Sequence, residues 1–173
     1  MSAIDYELSR VRGVVFDVDG VLSPATVPLD GDGVPVRCAN LKDGYAIKLA
    51  VSRGLNVAIL SGADTVAVRR RYDSLGVKDI FTGSFSKAEV LDRWMRRHGL
   101  TPDEVAYAGD DVPDYEAMQM VGLRVAPADA CRDILAIANY ISPCSGGCGV
   151  ARDLLEQLLR ARNLWSVKAN SFG

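Results

Sequence analysis

The chain has 173 residues, 49% hydrophobic and 24% charged, the proportions of one soluble globular domain able to bury a sizeable core. A net charge of −2 excludes the basic excess of a nucleic-acid binder, and the clusters Arg69, Arg70, Arg71 and Arg93, Arg96, Arg97 read as solvated helix faces. No apolar run reaches the roughly 18 residues that span a membrane, and the opening MSAIDYELSR lacks the basic and apolar regions of a signal peptide, so a cytoplasmic protein is expected.

The first apolar run, GVVF at 13–16, predicts a strand buried on both faces. It ends in Asp17-Val18-Asp19-Gly20. Residues 24–39 break the pattern that follows. Two extended pieces flank Asp30-Gly31-Asp32-Gly33, which predicts a β-hairpin inserted after strand one, with its prolines at edge positions. Helical patterns follow near 43–53, 65–75, 87–98, 113–121, 130–137 and 149–163. Between them lie strand-like runs at 57–60, 105–108, 123–126 and, more weakly, 140–141. Gly54, Gly76, Gly99 and Gly122 stand where helices end, and Thr101-Pro102-Asp103-Glu104 has the form of a capping box. Strand and helix in alternation predict an α/β fold, a Rossmann-like open parallel sheet with no large cap domain. One domain over 1–165 is expected, with a loosely held tail at 166–173.

In open α/β sheets, ligands bind beyond the carboxyl ends of the strands. Asp17 and Asp19 follow the first strand, and Ser61-Gly62 follow the second. Lys87 opens a helix, and Gly109-Asp110-Asp111-Val112-Pro113-Asp114 follow a later strand. One aspartate at such a turn is an ordinary helix cap. Five on two separate strands, with a lysine at the same edge, point instead to a divalent cation, which relieves their mutual repulsion. Hard oxygen ligands suit Mg²⁺. A carboxylate beside that ion can attack phosphorus, a second can serve as acid and base, and Lys87, Ser61 and the amides near Gly20 and Gly62 can hold the phosphoryl oxygens. The four cysteines, Cys38, Cys131, Cys144 and Cys148, lack a zinc-type spacing, and His98 before Gly99 reads as a cation at a helix end.

These residues resemble the haloacid dehalogenase (HAD) superfamily of phosphatases. DVDGV at 17–21 matches its first motif, Ser61 the second, Lys87 the third and GDDVPD at 109–114 the fourth. Within it, the chain looks most like the 3-deoxy-D-manno-octulosonate 8-phosphate (KDO 8-phosphate) phosphatases, on DVDGVLS, Asn40-Leu41-Lys42-Asp43-Gly44, VAPADA at 125–130 and the glycines 146 and 147. The resemblance implies Asp17 as nucleophile and Asp19 as acid/base. It implies Asp17, the Asp19 carbonyl and Asp110 as metal ligands, with Asp111 and Asp114 supporting them. Asn40, Lys42 and Asp43 are candidate substrate contacts. A homotetramer with the hairpin at subunit contacts and a place in lipopolysaccharide precursor synthesis are also implied. Two positions depart from the family pattern: Ala63 stands where many relatives carry arginine, and Cys148 where many carry a basic residue. A nonulosonate 9-phosphate phosphatase is therefore the alternative substrate reading. A receiver-type signalling domain is the alternative fold-level one, although its acidic pair would precede a middle-strand aspartate.

Overall fold

The structure, a computed structural model, describes residues 3–83 and 86–166. β1 (Gly13–Phe16) is buried along its whole length, as a strand covered on both faces must be. After it come α1 (Leu41–Ser52), β2 (Asn56–Leu60), α2 (Val66–Asp73), β3 (Asp79–Phe81), α3 (Lys87–His98) and β4 (Val105–Ala108). The chain continues through α4 (Tyr115–Gln119), β5 (Leu123–Ala126), α5 (Arg132–Ile137), β6 (Tyr140–Ile141) and α6 (Val150–Ala161). The six strands lie in the order β3-β2-β1-β4-β5-β6, every neighbouring pair parallel. Strand order reverses at β1, which pairs with β2 on one side and β4 on the other. The carboxyl ends of β1 and β4 therefore form the crevice where such a sheet binds ligands.

Alternation along β1 feeds two cores. Val14 and Phe16 join Ile47, Leu49, Leu154 and Leu158 under α1 and α6. Val15 joins Leu60, Leu91, Trp94, Tyr107, Met118 and Ile134 under α3, α4 and α5. Full burial of one such leucine or phenylalanine contributes about 1.5–3 kcal/mol, so the two layers hold the sheet edge, and the acids on it, in a fixed frame.

Three expected elements differ in detail. The predicted helix over 113–121 divides into a 3₁₀ turn at Val112–Asp114 and the short α4, because the Asp114 side chain folds back onto the amides of Asp110 and Asp111. β3 was not visible in the sequence: it has three residues and opens on an acid. Buried Asp79 is satisfied there by Trp94 Nε1 at 3.0 Å, His98 Nε2 at 2.8 Å and the Arg97 guanidinium. Arg69, expected on a solvated face, instead donates to the Ile80 carbonyl at 3.1 Å and to Thr82 Oγ1 at 2.7 Å, clamping that edge strand. The hairpin over 24–39 forms without a ladder. It has one antiparallel bridge, Leu29 with Pro35, flanked by Val36 N–H to Pro28 O at 2.8 Å and Asp30 N–H to Val34 O at 3.0 Å. Pro28 and Pro35 have no N–H to extend it. No domain-sized insert interrupts the described residues, and the tail expected at 166–173 lies, except for Ser166, outside them.

Candidate active site

β1 hands its last backbone bond to the site: Asp17 N–H donates to the Ala108 carbonyl of β4 at 3.0 Å, so the two strand ends are pinned together. Asp17 is buried, and Lys87 Nζ, at the first residue of α3, donates to its Oδ1 at 2.7 Å. The same ammonium donates to Asp114 Oδ1 at 2.7 Å. Asp114 is buried too, and it also accepts from Tyr107 Oη at 2.8 Å and from Asp110 N–H at 3.2 Å. It is the hub that fixes Lys87 against Asp17.

Carboxylate oxygens of Asp17, Asp110 and Asp114 lie within 4.8 Å of one another. Burial raises the Asp17 pKa well above the carboxylate range, Asp114 adds to the rise, and Lys87 opposes it. Asp110 is pushed up to about 7 by burial, then by Asp114 and Asp111, again against Lys87. For Lys87, burial works to lower the pKa, but Asp17 and Asp114 outweigh it and the ammonium is held charged. One ammonium does not compensate three converging carboxylates. A hard divalent cation does, and the oxygen-only donor set fits one.

Gly20 has φ +89°, and a Cβ there would stand 1.9 Å from Asp110 Oδ2. Its N–H, expected to hold phosphate, donates instead to the Ser23 carbonyl at 2.9 Å. The part of Gly20 is thus to leave room for Asp110. Gly146 presses on the same turn: a Cβ on it would meet the Gly20 carbonyl oxygen at 2.2 Å. Ser61 is buried after β2, and its Oγ accepts from Ala63 N–H at 3.2 Å, which leaves its own proton to donate. Gly62 and Ala63 line the cleft, which measures about 480 Å³ and is also bordered by Asp17, Asp19, Lys87 and the acids of 110–114. Asp111 stands exposed on its rim. The Asp19 carboxylate points into this cleft with 40% exposure and is held there by Arg37.

Three candidate substrate contacts fall elsewhere. Asn40 caps α1, its Oδ1 accepting from Lys42 N–H at 2.9 Å and Asp43 N–H at 3.3 Å, while its Nδ2 donates to the Gly147 carbonyl at 3.0 Å. Lys42 is exposed, and buried Asp43 accepts from Arg152 N–H at 2.7 Å. None of the three borders the cleft. Asn40 and Asp43 join α1 to the 142–149 loop and to the start of α6. Cys148 is exposed and likewise absent from the cleft wall, and all four cysteines are free thiols. Tyr107 and Arg37 were missed by sequence reasoning. The one signal for Tyr107 was a hydroxyl inside an otherwise apolar strand.

A model of the haloacid dehalogenase-like hydrolases matches residues 72–154, a stretch that holds Lys87, Asp110 and Asp114. Over 153 residues the chain is 34% identical to the 3-deoxy-D-manno-octulosonate 8-phosphate phosphatase KdsC of Escherichia coli K12, covering 88% of this chain and 81% of that protein. The chain belongs to the haloacid dehalogenase-like hydrolases, in the 3-deoxy-D-manno-octulosonate 8-phosphate phosphatase family. This hydrolase is 31% identical to the cobalt-bound deoxy-D-mannose-octulosonate 8-phosphate phosphatase of Haemophilus influenzae, with a TM-score of 0.89 over 96% of this chain and 98% of that one. The Moraxella catarrhalis phosphatase, solved with magnesium, phosphate and KDO, is 28% identical with a TM-score of 0.86, covering 91% of this chain and 90% of that one. Membership makes the chain a phosphoric monoester hydrolase and removes the receiver-domain alternative. No helix of the described residues is long and apolar enough to cross a membrane.

Proposed function

We propose that this hydrolase converts 3-deoxy-D-manno-octulosonate 8-phosphate to the free sugar acid and inorganic phosphate, with Mg²⁺ as cofactor and an aspartyl phosphate on Asp17 as intermediate. The carrying observation is the convergence of Asp17, Asp110 and Asp114 with Lys87 at the β1–β4 crevice. Family membership and the relatives' activity support the substrate.

Asp17, the Asp19 backbone carbonyl and Asp110 would hold the ion, which when bound neutralises charge on the phosphoryl oxygens. Lys87 occupies Asp17 Oδ1 and so leaves the other oxygen to attack phosphorus. As the P–O bond to the sugar breaks, Asp19 gives its proton to the leaving oxygen. Asp19 then takes a proton from the water that attacks the aspartyl phosphate, which releases inorganic phosphate and restores Asp17. The division of labour follows burial: Asp17 lies on the cleft floor and Asp19 at the opening, where a leaving group and water pass. Gly62 N–H has no acceptor among the described residues, and with the Ser61 hydroxyl and Lys87 it would clamp the transferring oxygens.

Among the described residues no element covers the cleft. The exposed apolar residues of the hairpin, Leu29, Val34 and Val36, support packing of neighbouring subunits on this segment, and the assembly we propose is a cytoplasmic homotetramer. Phosphate release from 3-deoxy-octulosonate 8-phosphate and a nonulosonate 9-phosphate, each with Mg²⁺ and with chelator, tests the assignment. The expected result is Mg²⁺-dependent release with a higher kcat/KM for the octulosonate. A preference for the nonulosonate would transfer the assignment to that substrate.

A further inference from the structure

Arg37, on the return arm of the hairpin, grips Asp19 fork to fork: Nε donates to Oδ1 and Nη2 to Oδ2, each at 2.7 Å. Paired hydrogen bonds of this kind are both strong and selective for a planar two-oxygen partner. The guanidinium is 15% exposed, far better covered than its partner. It also borders a second cavity of about 290 Å³ between the hairpin and α2, walled by Val18, Val36, Arg71 and Tyr72. The Arg37–Asp19 pair therefore stands between that space and the cleft.

Two features of the pair do not fit a purely structural role. First, a guanidinium that donates to both oxygens of Asp19 competes with any proton or leaving group for that carboxylate, so the acid/base is better placed to act once the pair loosens. Second, the cleft is poor in positive charge. Its wall carries five carboxyl groups and one ammonium, Lys87, which is already shared between Asp17 and Asp114. Position 63 on that wall is an alanine and offers no charge. A substrate with a phosphate at one end and a carboxylate at the other needs a cation for its second end. Arg37 is at hand, and a substrate carboxylate presents the same two-oxygen fork as Asp19.

We infer that Arg37 is the specificity-determining residue for the acid end of the substrate: its guanidinium exchanges Asp19 for the substrate carboxylate, which reads that group and frees the acid/base in one move. The inference rests on the sugar-acid phosphate assignment above. Arg71, the other arginine on the adjoining cavity, is the competing candidate.

The test compares kcat and KM of the wild type and of Arg37→Ala, Arg37→Lys and Arg71→Ala. Two substrates are used: 3-deoxy-octulosonate 8-phosphate and the carboxylate-free mannose 6-phosphate. Arg37→Ala is expected to lower the octulosonate-to-mannose ratio of kcat/KM roughly 10- to 100-fold, mainly through KM for the octulosonate. Arg37→Lys keeps the charge but not the fork and should restore only part of that ratio. If Arg37→Ala does not fold, a ratio in Arg37→Lys at least threefold below wild type supports the inference and an unchanged ratio overturns it. Equal loss of kcat on both substrates would show that Arg37 only positions Asp19, and a ratio that falls in Arg71→Ala instead would give the role to Arg71. Either result overturns the inference alone. A wild type that prefers mannose 6-phosphate would overturn the functional assignment and this inference with it.

Discussion

Asp114 gathers Lys87, Tyr107 and the Asp110 amide, and this makes Tyr107 a buried support linked to Asp17 through Asp114 and Lys87. Burial and the nearby Asp114 and Asp17 charges push the phenol well above its usual range, so it stays a donor. Tyr107→Phe removes that donor while Lys87 still binds the same oxygen. The loss of one hydrogen bond to a charged group is about 1.5–3 kcal/mol. Steady-state assays should show kcat reduced roughly 10- to 150-fold if that loss falls on the transition state, with the fold retained by circular dichroism; wild-type kcat would contradict the support role. Sequence alone could single out Asp17, Asp19 and Asp110 because several acids, with a lysine, follow two strands at one sheet edge, which helix capping does not explain. Tyr107 lay within a run read as a buried strand and Arg37 within the predicted hairpin, and each acquires its meaning only from a folded partner, Asp114 for the first and Asp19 for the second. Asn40, Lys42 and Asp43 do not border the cleft of the single chain, because their motif opens α1 on the side of the 142–149 loop.

At the α1–α6 joint the role falls to Asp43. The Asp43 carboxyl, in the first turn of α1, accepts from the amide of Arg152 in the first turn of α6, while its Oδ2 has no donor among the described residues. Burial raises its pKa to about 6, against the Arg152 amide and charge. A carboxyl with a raised folded pKa opposes stability as pH rises. Below about pH 4 both states are protonated. Between about 4 and 6 the unfolded chain ionises first, and above 6 the full deficit is present, at most roughly 3 kcal/mol. Asp43→Asn keeps the acceptor without the charge. Its stability relative to wild type, from urea midpoints, should increase between pH 4 and 7; parallel profiles would contradict this. The boundaries of α1 and α6 were readable to within two residues, because apolar periodicity and end residues agree there. β3 and the division before α4 were not. The first depends on clamps from Arg69 and Arg97, and the second on one side chain turning back on its own loop.

At the scale of the whole molecule, the parallel sheet followed from alternation of strands and helices, whereas its strand order, which reverses at β1 and brings two acidic loops to one crevice, is seen only in the structure. The hairpin did not reach the regular ladder its turn residues suggested, and its apolar residues remain exposed: Leu29 at 64%, Val34 at 52% and Val36 at 47%. The double substitution Val34→Asp, Val36→Asp places charge on that arm. Sedimentation should find the wild type tetrameric and the variant shifted to smaller species, with kcat/KM for the sugar acid reduced. A tetrameric variant, or a fully active monomeric wild type, would contradict a role for the hairpin in assembly. The central claim is that acids from separate strands converge so that Asp17 becomes the phosphoryl acceptor, and trapping tests it most directly. Enzyme quenched during turnover with Mg²⁺ and the octulosonate phosphate is reduced with borohydride, which converts an aspartyl phosphate to homoserine. Peptide mass spectrometry should find homoserine at position 17 only when both Mg²⁺ and substrate are present. Homoserine at another aspartate, with position 17 unmodified, would contradict the account.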